Sequence, residues 1–240
     1  MLDDYSQWLD NFIQNGFDKI EGWVDSRIFK ILKIINKIQQ KLDVKGGALE
    51  IGVHHGRFFI PINGMVEPKE ALSVAIDLFE DQFLNIDCSG RGDLSKFKEN
   101  LSLFDRHGGK NVIIIKGDST RLTPERILSK VSTPFKIISI DGGHTVEHTI
   151  NDLHLASVVV SEKGVIFVDD ILNPLWIGVC EGVIEFLKRR PTIWPVFIAY
   201  NKCILVPMSV HHIYLQEFQN YIDSLKKIKL CGYELFTPFD

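Results

Sequence analysis

Cysteine is scarce in this sequence, and the cysteines that occur are scattered. They form no C-x-x-C pair and lie at Cys88, Cys180, Cys203 and Cys231. Secreted domains that depend on disulfides, and structural zinc sites, use cysteines at short regular spacings. We therefore interpret all of them as reduced thiols of a cytosolic protein rather than as a disulfide framework or a metal site.

Long apolar runs and basic runs are also missing. No stretch approaches the roughly 20 apolar residues needed to span a bilayer. The N-terminal segment MLDDYSQWLDNF lacks the basic start and apolar core of a signal peptide. The formal net charge is −4, and no lysine- or arginine-rich run suggests phosphate binding. We expect a cytoplasmic protein that binds neither membranes nor nucleic acid.

Short apolar runs rich in valine and isoleucine alternate with helical patterns from residue 47 onward. They predict strands at 47–53, 71–77, 111–118, 135–141 and 164–170. Such runs are typical of parallel strands buried on both faces, and their alternation with helices predicts a doubly wound α/β sheet. Two further runs, 194–200 and 202–207, are separated only by Asn201. They predict an antiparallel hairpin that closes a mostly parallel sheet of seven strands.

The length of 240 residues fits one large α/β domain better than two small ones. We expect an N-terminal helical cap at 1–44, a central core at 45–208, and a C-terminal helix and tail at 209–240. Segment 27–42 has one apolar stripe and predicts a helix packed on the sheet rather than on a membrane. An earlier helical stretch, around 4–20, fits a lid over a site and a core helix equally well.

Glycines and acids follow the first three predicted strands. The first ends in LEIGVHHGRFF, where Gly52 and Gly56 permit a tight turn and a close approach of a ligand to the backbone. This spacing is neither G-x-G-x-x-G nor a P-loop, and two glycines alone are also typical of a structural turn. Asp77 ends the second strand, where a carboxylate can bind both hydroxyls of a ribose. Asp118 ends the third, where it and the Ser119 backbone can meet an amine and a ring nitrogen.

Three further acids end the fourth and fifth predicted strands: Asp141, Asp169 and Asp170. Neighbouring strands lie about 4.8 Å apart, so these carboxylates are expected to converge. Like charges this close require a positive partner, and oxygen ligands suit Mg²⁺, with Ca²⁺ or Mn²⁺ as substitutes. An isolated pair of aspartates is usually a pair of solvated loop acids or a helix N-cap. The matching acid on the adjacent strand favours a metal site here.

His144 lies three residues after Asp141, beyond a double-glycine turn. With a substrate hydroxyl held by the metal, a neutral imidazole can accept its proton as a general base. The alternatives are that His144 caps its helix or hydrogen-bonds a carboxylate. His54 and His55, after the first strand, are interpreted as turn or supporting residues rather than metal ligands.

Four segments, in order EIGVHHG, VAIDLFE, IKGDS and IDGGH, resemble those of a class I S-adenosylmethionine (SAM) methyltransferase over residues 47–207. The resemblance implies a Rossmann-like fold with SAM as cofactor. It implies that the first segment wraps the methionine part, that Asp77 binds the ribose, and that the adenine contacts Leu78, Asp118 and Ser119. His54 departs from the family pattern E-x-G-x-G-x-G, so its side chain must point away from the cofactor. The cofactor-binding residues implied are Glu50, Gly52, Val53, Gly56, Asp77, Leu78, Asp118, Ser119 and Asp141.

The ordered pattern D-x-x-H, then DD after the next strand, resembles the metal-dependent macrocin-type sugar O-methyltransferases. That resemblance implies Mg²⁺ bound by Asp141, Asp169 and Asp170, and His144 as the catalytic base. We expect methyl transfer to a hydroxyl of a small acceptor, in particular a sugar diol of a secondary metabolite or glycan. A catechol or phenol O-methyltransferase, a nucleotide-binding oxidoreductase and a SAM-binding protein without catalysis remain alternatives. The acceptor is not determined, and the oligomeric state is open, a homo-oligomer included.

Overall fold

Nine strands form one sheet in the computed structural model, which describes residues 3–239. In chain order they are β1 (Gly47–Ile51), β2 (Ser73–Asp77), β3 (Val112–Lys116), β4 (Phe135–Ile140), β5 (Val160–Val168), β6 (Ile193–Ala199), β7 (Lys202–Pro207), β8 (Leu225–Leu230) and β9 (Tyr233–Pro238). Across the sheet they run β3-β2-β1-β4-β5-β7-β6-β9-β8. The first five are parallel, and β7 is antiparallel to β5 and β6. The predicted α/β fold with a mostly parallel sheet is confirmed.

Helices cover both faces of this sheet, as the alternating pattern predicted. They are α1 (Asp4–Asn15), α2 (Ile28–Lys41), α3 (Phe59–Asn63), α4 (Leu94–Phe104), α5 (Pro124–Leu128), α6 (Val146–Val159), α7 (Ile177–Lys188) and α8 (His211–Tyr221). Successive residues of one strand belong to opposite cores: Ala48 lies in one apolar cluster and Leu49 in the other. Burial on both faces explains why the strands read as continuous apolar runs.

The two N-terminal helices pack into one of these cores. The apolar stripe of α2 is buried at Ile28, Ile31, Leu32, Ile35 and Ile38. Helix α1 buries Leu9 and Phe12, and the hydroxyl of Tyr5 donates to the carbonyl of Pro61 at 3.1 Å. These contacts make α1 a core helix of the described structure.

The predicted count of seven strands is wrong, because the C-terminal tail adds the hairpin of β8 and β9. This hairpin is antiparallel and joins the sheet where Phe236 of β9 pairs with Phe197 of β6. The ring of Phe197 also stacks on Phe218 of α8, with 4.8 Å between centroids. Strand β8 is the sheet edge and carries exposed lysines, a composition that discourages further strand pairing. Its lysine content is also why the search for apolar runs missed it.

Strand order reverses between β1 and β4, and this reversal positions the site. From β1 the chain builds β2 and β3 on one side, and then β4 and β5 on the other. Ile51 of β1 lies opposite Ile140 of β4, so the carboxyl ends of the two strands are side by side. In open α/β sheets ligands bind at such a reversal, beyond the carboxyl ends of the strands.

Over residues 3–239, every helix is too short or too polar to cross a lipid bilayer.

Candidate active site

A cavity of about 820 Å³ opens at the strand-order reversal. Many of the residues expected from the sequence line it: Gly52, Asp77, Leu78, Asp118, Ser119, Asp141, His144, Asp169 and Asp170. Three expected cofactor residues, Glu50, Val53 and Gly56, are not part of this lining. They lie behind the wall, where Glu50 and Val53 are buried.

The turn after β1 depends on two glycines, for different reasons. A Cβ on Gly52, which has a φ of +83°, would lie 1.6 Å from the carbonyl oxygen of Asp141. A Cβ on Gly56 would lie 2.9 Å from the ring of Phe97. Gly52 therefore permits the ends of β1 and β4 to approach, and Gly56 permits the turn to pack on a helix.

Glu50 is a buried carboxyl behind the turn after β1. Its Oε2 has no hydrogen-bond partner among the described residues. Burial raises the pKa of Glu50 well above its ordinary value, and Asp141 adds to this rise. Glu50 therefore contributes a buried carboxyl, with a raised pKa, to the wall behind the cavity.

Asp77 is held in place by the backbone at the end of β2. Its carboxylate accepts hydrogen bonds from the N–H of His54 at 2.7 Å and the N–H of Phe79 at 2.5 Å. Burial raises the pKa of Asp77, and these two hydrogen bonds oppose that rise. His54, which replaces a glycine of the resembled pattern, adopts a φ of +51°. Its ring lies on His55, with 3.9 Å between centroids, but His54 is also among the residues that line the cavity, so the structure does not place it away from the cofactor space.

Asp118 and Ser119 lie at the end of β3, on the far side of the cavity from the acids of β5. The Asp118 carboxylate accepts from the backbone N–H and the hydroxyl of Thr120, at 2.8 and 2.7 Å. It thus caps a short 3₁₀ turn that presents Ser119 to the cavity.

The cavity floor brings His144 together with two of the predicted metal ligands. Nε2 of His144 lies 3.1 Å from Oδ2 of Asp170 and 3.7 Å from Oδ1 of Asp141. The imidazole is only 9% exposed, yet Nε2 makes no hydrogen bond of acceptable geometry. One ligand atom from each of these residues lies within 4.8 Å of the others. They form the one such group of potential ligands found among residues 3–239.

Sequence reasoning missed the residues that orient His144. Oδ2 of Asp87 lies 2.8 Å from both the backbone nitrogen and Nδ1 of His144. A carboxylate only accepts, so Nδ1 carries a proton and Nε2 is the nitrogen that faces the acids. Trp176 stacks on the imidazole with 4.5 Å between centroids. Asp87 lies in an irregular loop, where no periodicity pointed to it.

Three carboxylates control the charge of His144. Burial lowers the pKa of His144, but contacts with Asp141, Asp170 and Asp87 outweigh it and raise the pKa to about 11. Burial raises the pKa of Asp87, but hydrogen bonds from His144 and Ser89 outweigh this effect. The pKa of Asp87 therefore lies well below its usual range. Without a cation near Asp141 and Asp170, His144 is therefore an imidazolium at neutral pH.

Asp169 is turned away from this group toward Lys202. The two side chains form an ion pair, with Asp169 7% and Lys202 1% exposed. The other oxygen of Asp169 accepts from the backbone N–H of Asp170 at 2.9 Å. The carboxylate of Asp170 in turn accepts from the amides of Asn173 and Asn201, at 2.9 and 2.6 Å. The Lys202 partner was not expected from the sequence.

A family model described as a methyltransferase domain matches residues 49–171, half of the chain. The chain belongs to this methyltransferase family. A search of curated proteins found no match.

Solved structures share the fold at low sequence identity. The O-methyltransferase NovP is 17% identical, with a TM-score of 0.62, over 85% of this chain and 99% of its own. An O-methyltransferase from Bacillus cereus, in complex with S-adenosylhomocysteine (SAH), is 16% identical, with a TM-score of 0.56, over 83% and 89%. CalS11, a TDP-rhamnose 3'-O-methyltransferase of calicheamicin biosynthesis, is 16% identical, with a TM-score of 0.53, over 85% and 93%.

We predict that Asp87→Asn lowers the pKa of His144 in metal-free protein, because one of its carboxylate partners is lost. The stabilisation that the raised pKa represents is fully present below the unfolded value of 6.5 and is lost as pH rises through about 11. In the presence of a chelator, the unfolding free energy of the wild type should thus fall more steeply between pH 7 and 10 than that of Asp87→Asn. Histidine NMR and urea unfolding measure both effects.

The matched control is Asp18→Asn, which removes a carboxylate that is 90% exposed. This control should leave the His144 titration unchanged. An Asp87→Asn protein whose His144 titrates as in the wild type would contradict the orienting contact.

Proposed function

We propose that this protein transfers the methyl group of SAM to a hydroxyl oxygen of a small acceptor. The observation that carries the proposal is the buried Nε2 of His144, which faces the carboxylates of Asp141 and Asp170 in the cavity of a methyltransferase domain. An imidazole that is held by Asp87 at Nδ1 and faces the cavity with Nε2 is suited to accept a proton once a cation offsets the charge of the two carboxylates. The O-methyltransferases among the structural neighbours support the same type of acceptor atom.

The charge of the cavity suits SAM, whose sulfonium and ammonium groups are positive. The lining contains seven carboxylates: Asp25, Asp77, Asp87, Asp118, Asp141, Asp169 and Asp170. Asp77 is anchored by two backbone hydrogen bonds and is available to the ribose hydroxyls, while Leu78 and Ser119 line the expected adenine end. The O-methyltransferase from Bacillus cereus, which was solved in complex with SAH, supports this cofactor.

The first prediction of this proposal concerns the cofactor. Asp77→Ala should weaken SAM binding by about 10- to 100-fold, because hydrogen bonds to a charged group contribute about 1.5–3 kcal/mol. Isothermal titration calorimetry with SAH measures the loss. The control is Asp81→Ala, which removes a surface partner of Lys116 outside the cavity lining. An unchanged affinity in Asp77→Ala would remove the ribose assignment.

The residues on the cavity floor fit a divalent cation. Asp141 and Asp170 supply carboxylate oxygens, and Mg²⁺ is commonly held by one or two carboxylates with water and substrate oxygens. When bound there, a cation would lower the pKa of an acceptor hydroxyl and offset the carboxylate charge that keeps His144 protonated. Asp87 holds the imidazole, His144 accepts the hydroxyl proton at Nε2, and the stacked Trp176 limits access of water.

The sequence-based ligand set also included Asp169, which contacts Lys202 instead. Of the three predicted carboxylates, Asp141 and Asp170 are the two that face His144, and we assign the cation to them.

A second prediction separates catalysis from cofactor binding. His144→Ala should lower turnover by about 10²–10⁴-fold, the usual effect of losing an acid–base group. Asp170→Asn should also lower turnover strongly, because it removes a carboxylate of the cation site, and SAH affinity should change little in both variants. Excess EDTA should abolish turnover and Mg²⁺ should restore it. Glu147→Gln, an exposed position of α6, is the control and should retain activity. Full turnover in EDTA would refute the cation, and a destabilised but fully active His144→Ala protein would refute the base.

The residues at the cavity rim indicate which type of acceptor fits the site. Trp23, Ile86 and Leu175 line the opening and are 73%, 58% and 78% exposed. Among the described lining residues the lysine and the arginine are both engaged: Lys202 pairs with Asp169, and Arg57 donates to the carbonyl of Gly22 at 2.7 Å. An acceptor with an uncharged apolar body therefore fits better than one that carries a diphosphate.

The proposed acceptor is accordingly a neutral glycoside with adjacent hydroxyls, in line with the macrocin-type resemblance. A catechol is the second candidate, because it offers adjacent oxygens on an apolar ring that Trp23 and Leu175 can contact. The nucleotide sugar named for CalS11 is disfavoured by the seven lining carboxylates.

A third prediction tests the rim. Neutral aryl glycosides or catechols should be methylated at least about 10-fold more efficiently than a nucleotide diphosphate carrying the same sugar, because the lining carboxylates repel the diphosphate. Leu175→Ser should raise the KM for the neutral acceptor about 5- to 20-fold, because it removes apolar contact area. Leu172→Ser is the matched control: Leu172 is 60% exposed but lies outside the cavity lining. Equal effects of the two substitutions, or a preference for the diphosphate, would contradict this acceptor class.

A further inference from the structure

A lysine is completely buried at the floor of the cavity. Lys202 is 1% exposed and is the first residue of β7, directly after the turn at Tyr200 and Asn201. The antiparallel pairing of β7 with β5 places Cys203 opposite Val168, which brings Lys202 alongside Asp169. A lysine is almost never buried without a partner, because removing its ammonium from water is costly.

The surroundings of Lys202 hold its ammonium in the charged form. Nζ contacts the Asp169 carboxylate and lies 4.3 Å from the centre of the Phe58 ring. Burial lowers the pKa of Lys202, but Asp169, Asp141 and Glu50 outweigh it and raise the pKa. The ammonium group of Lys202 therefore already occupies the position beside Asp169 that a divalent cation bound to this carboxylate would need.

Each oxygen of Asp169 already has a partner. Oδ2 contacts Lys202, and Oδ1 accepts from the N–H of Asp170. Asp170 has a φ of +59°, in the left-handed region that aspartate tolerates better than most residues. Fixed by this hydrogen bond and by the two asparagine amides, Asp170 directs its Oδ2 to His144 at 3.1 Å.

We propose that Lys202 is a permanent counter-ion of Asp169 that takes the place of a metal at that carboxylate and, through Asp169, positions Asp170. The catalytic cation is then held by Asp141 and Asp170 without Asp169. This inference rests on the proposed function for the cation alone; the counter-ion role of Lys202 stands independently of it.

The experiment compares Lys202→Met, Asp169→Asn/Lys202→Met and Asp170→Asn with the wild type. Mn²⁺ is the probe, because its binding is measured by electron paramagnetic resonance without turnover. The double variant removes both charges, and its asparagine oxygen can still accept from the N–H of Asp170. Lys130→Met, at an exposed lysine of the surface, controls for the loss of a positive charge.

We expect the double variant to bind one Mn²⁺ with an affinity within about threefold of the wild type. We expect the Mn²⁺ affinity of Asp170→Asn to be at least about 10-fold lower than that of the wild type. Lys202→Met alone leaves a buried unpaired carboxylate. It should melt well below both the wild type and the double variant, and Mn²⁺ should raise its melting temperature more than that of the wild type. Lys130→Met should match the wild type in both measurements.

Two results would overturn the proposal. If the double variant loses as much Mn²⁺ affinity as Asp170→Asn, Asp169 is a metal ligand. If the double variant melts no higher than Lys202→Met, or if both fail to fold, the two charges do not compensate each other. A wild type that binds no Mn²⁺ would refute the cation of the proposed function. The melting temperatures would then still decide the counter-ion role.

Discussion

The approach of β1 to β4 at Gly52 is the contact on which the site depends. A Cβ at this position would lie 1.6 Å from the carbonyl oxygen of Asp141, so only glycine lets the two strands end side by side. Because strand order reverses at this point, the carboxyl ends of the five parallel strands border one cavity. Asp77, Asp118, Asp141, Asp169 and Asp170 thereby come to line the same space.

Concentrating carboxylates in this way creates an electrostatic cost, and the structure offsets it with different partners at different positions. Asp77 uses backbone N–H groups, Asp169 uses the ammonium of Lys202, and Asp170 uses two amides. His144 offsets Asp87 directly, which leaves Nε2 facing Asp141 and Asp170. Among the described residues, Asp141 and Asp170 share only the imidazole of His144 as a positive partner, and this is the part of the cavity where we place the divalent ion.

Identities of 16–17% establish the architecture and leave the acceptor undetermined. The residues on which the proposals rest lie in or beside the loops at the carboxyl edge of the sheet: Asp87 after β2, Leu175 and Trp176 after β5, and Lys202 at the start of β7. Loops at the carboxyl edge of such a sheet are where function varies on a constant scaffold.

The sequence by itself determined the architecture of the core and the positions of its strand-end acids. Buried strands and amphipathic helices leave periodic patterns, and an acid that follows an apolar run is read directly from the chain. The tertiary structure alone decided the pairing of Asp169 with Lys202 and of His144 with Asp87, which are 33 and 57 residues apart. It also decided that β8 and β9 extend the sheet, because a lysine-rich edge strand carries little of the apolar signal. Local patterns report which surface a residue buries, whereas the choice of a charged partner depends on which distant loops the completed fold brings within hydrogen-bonding distance.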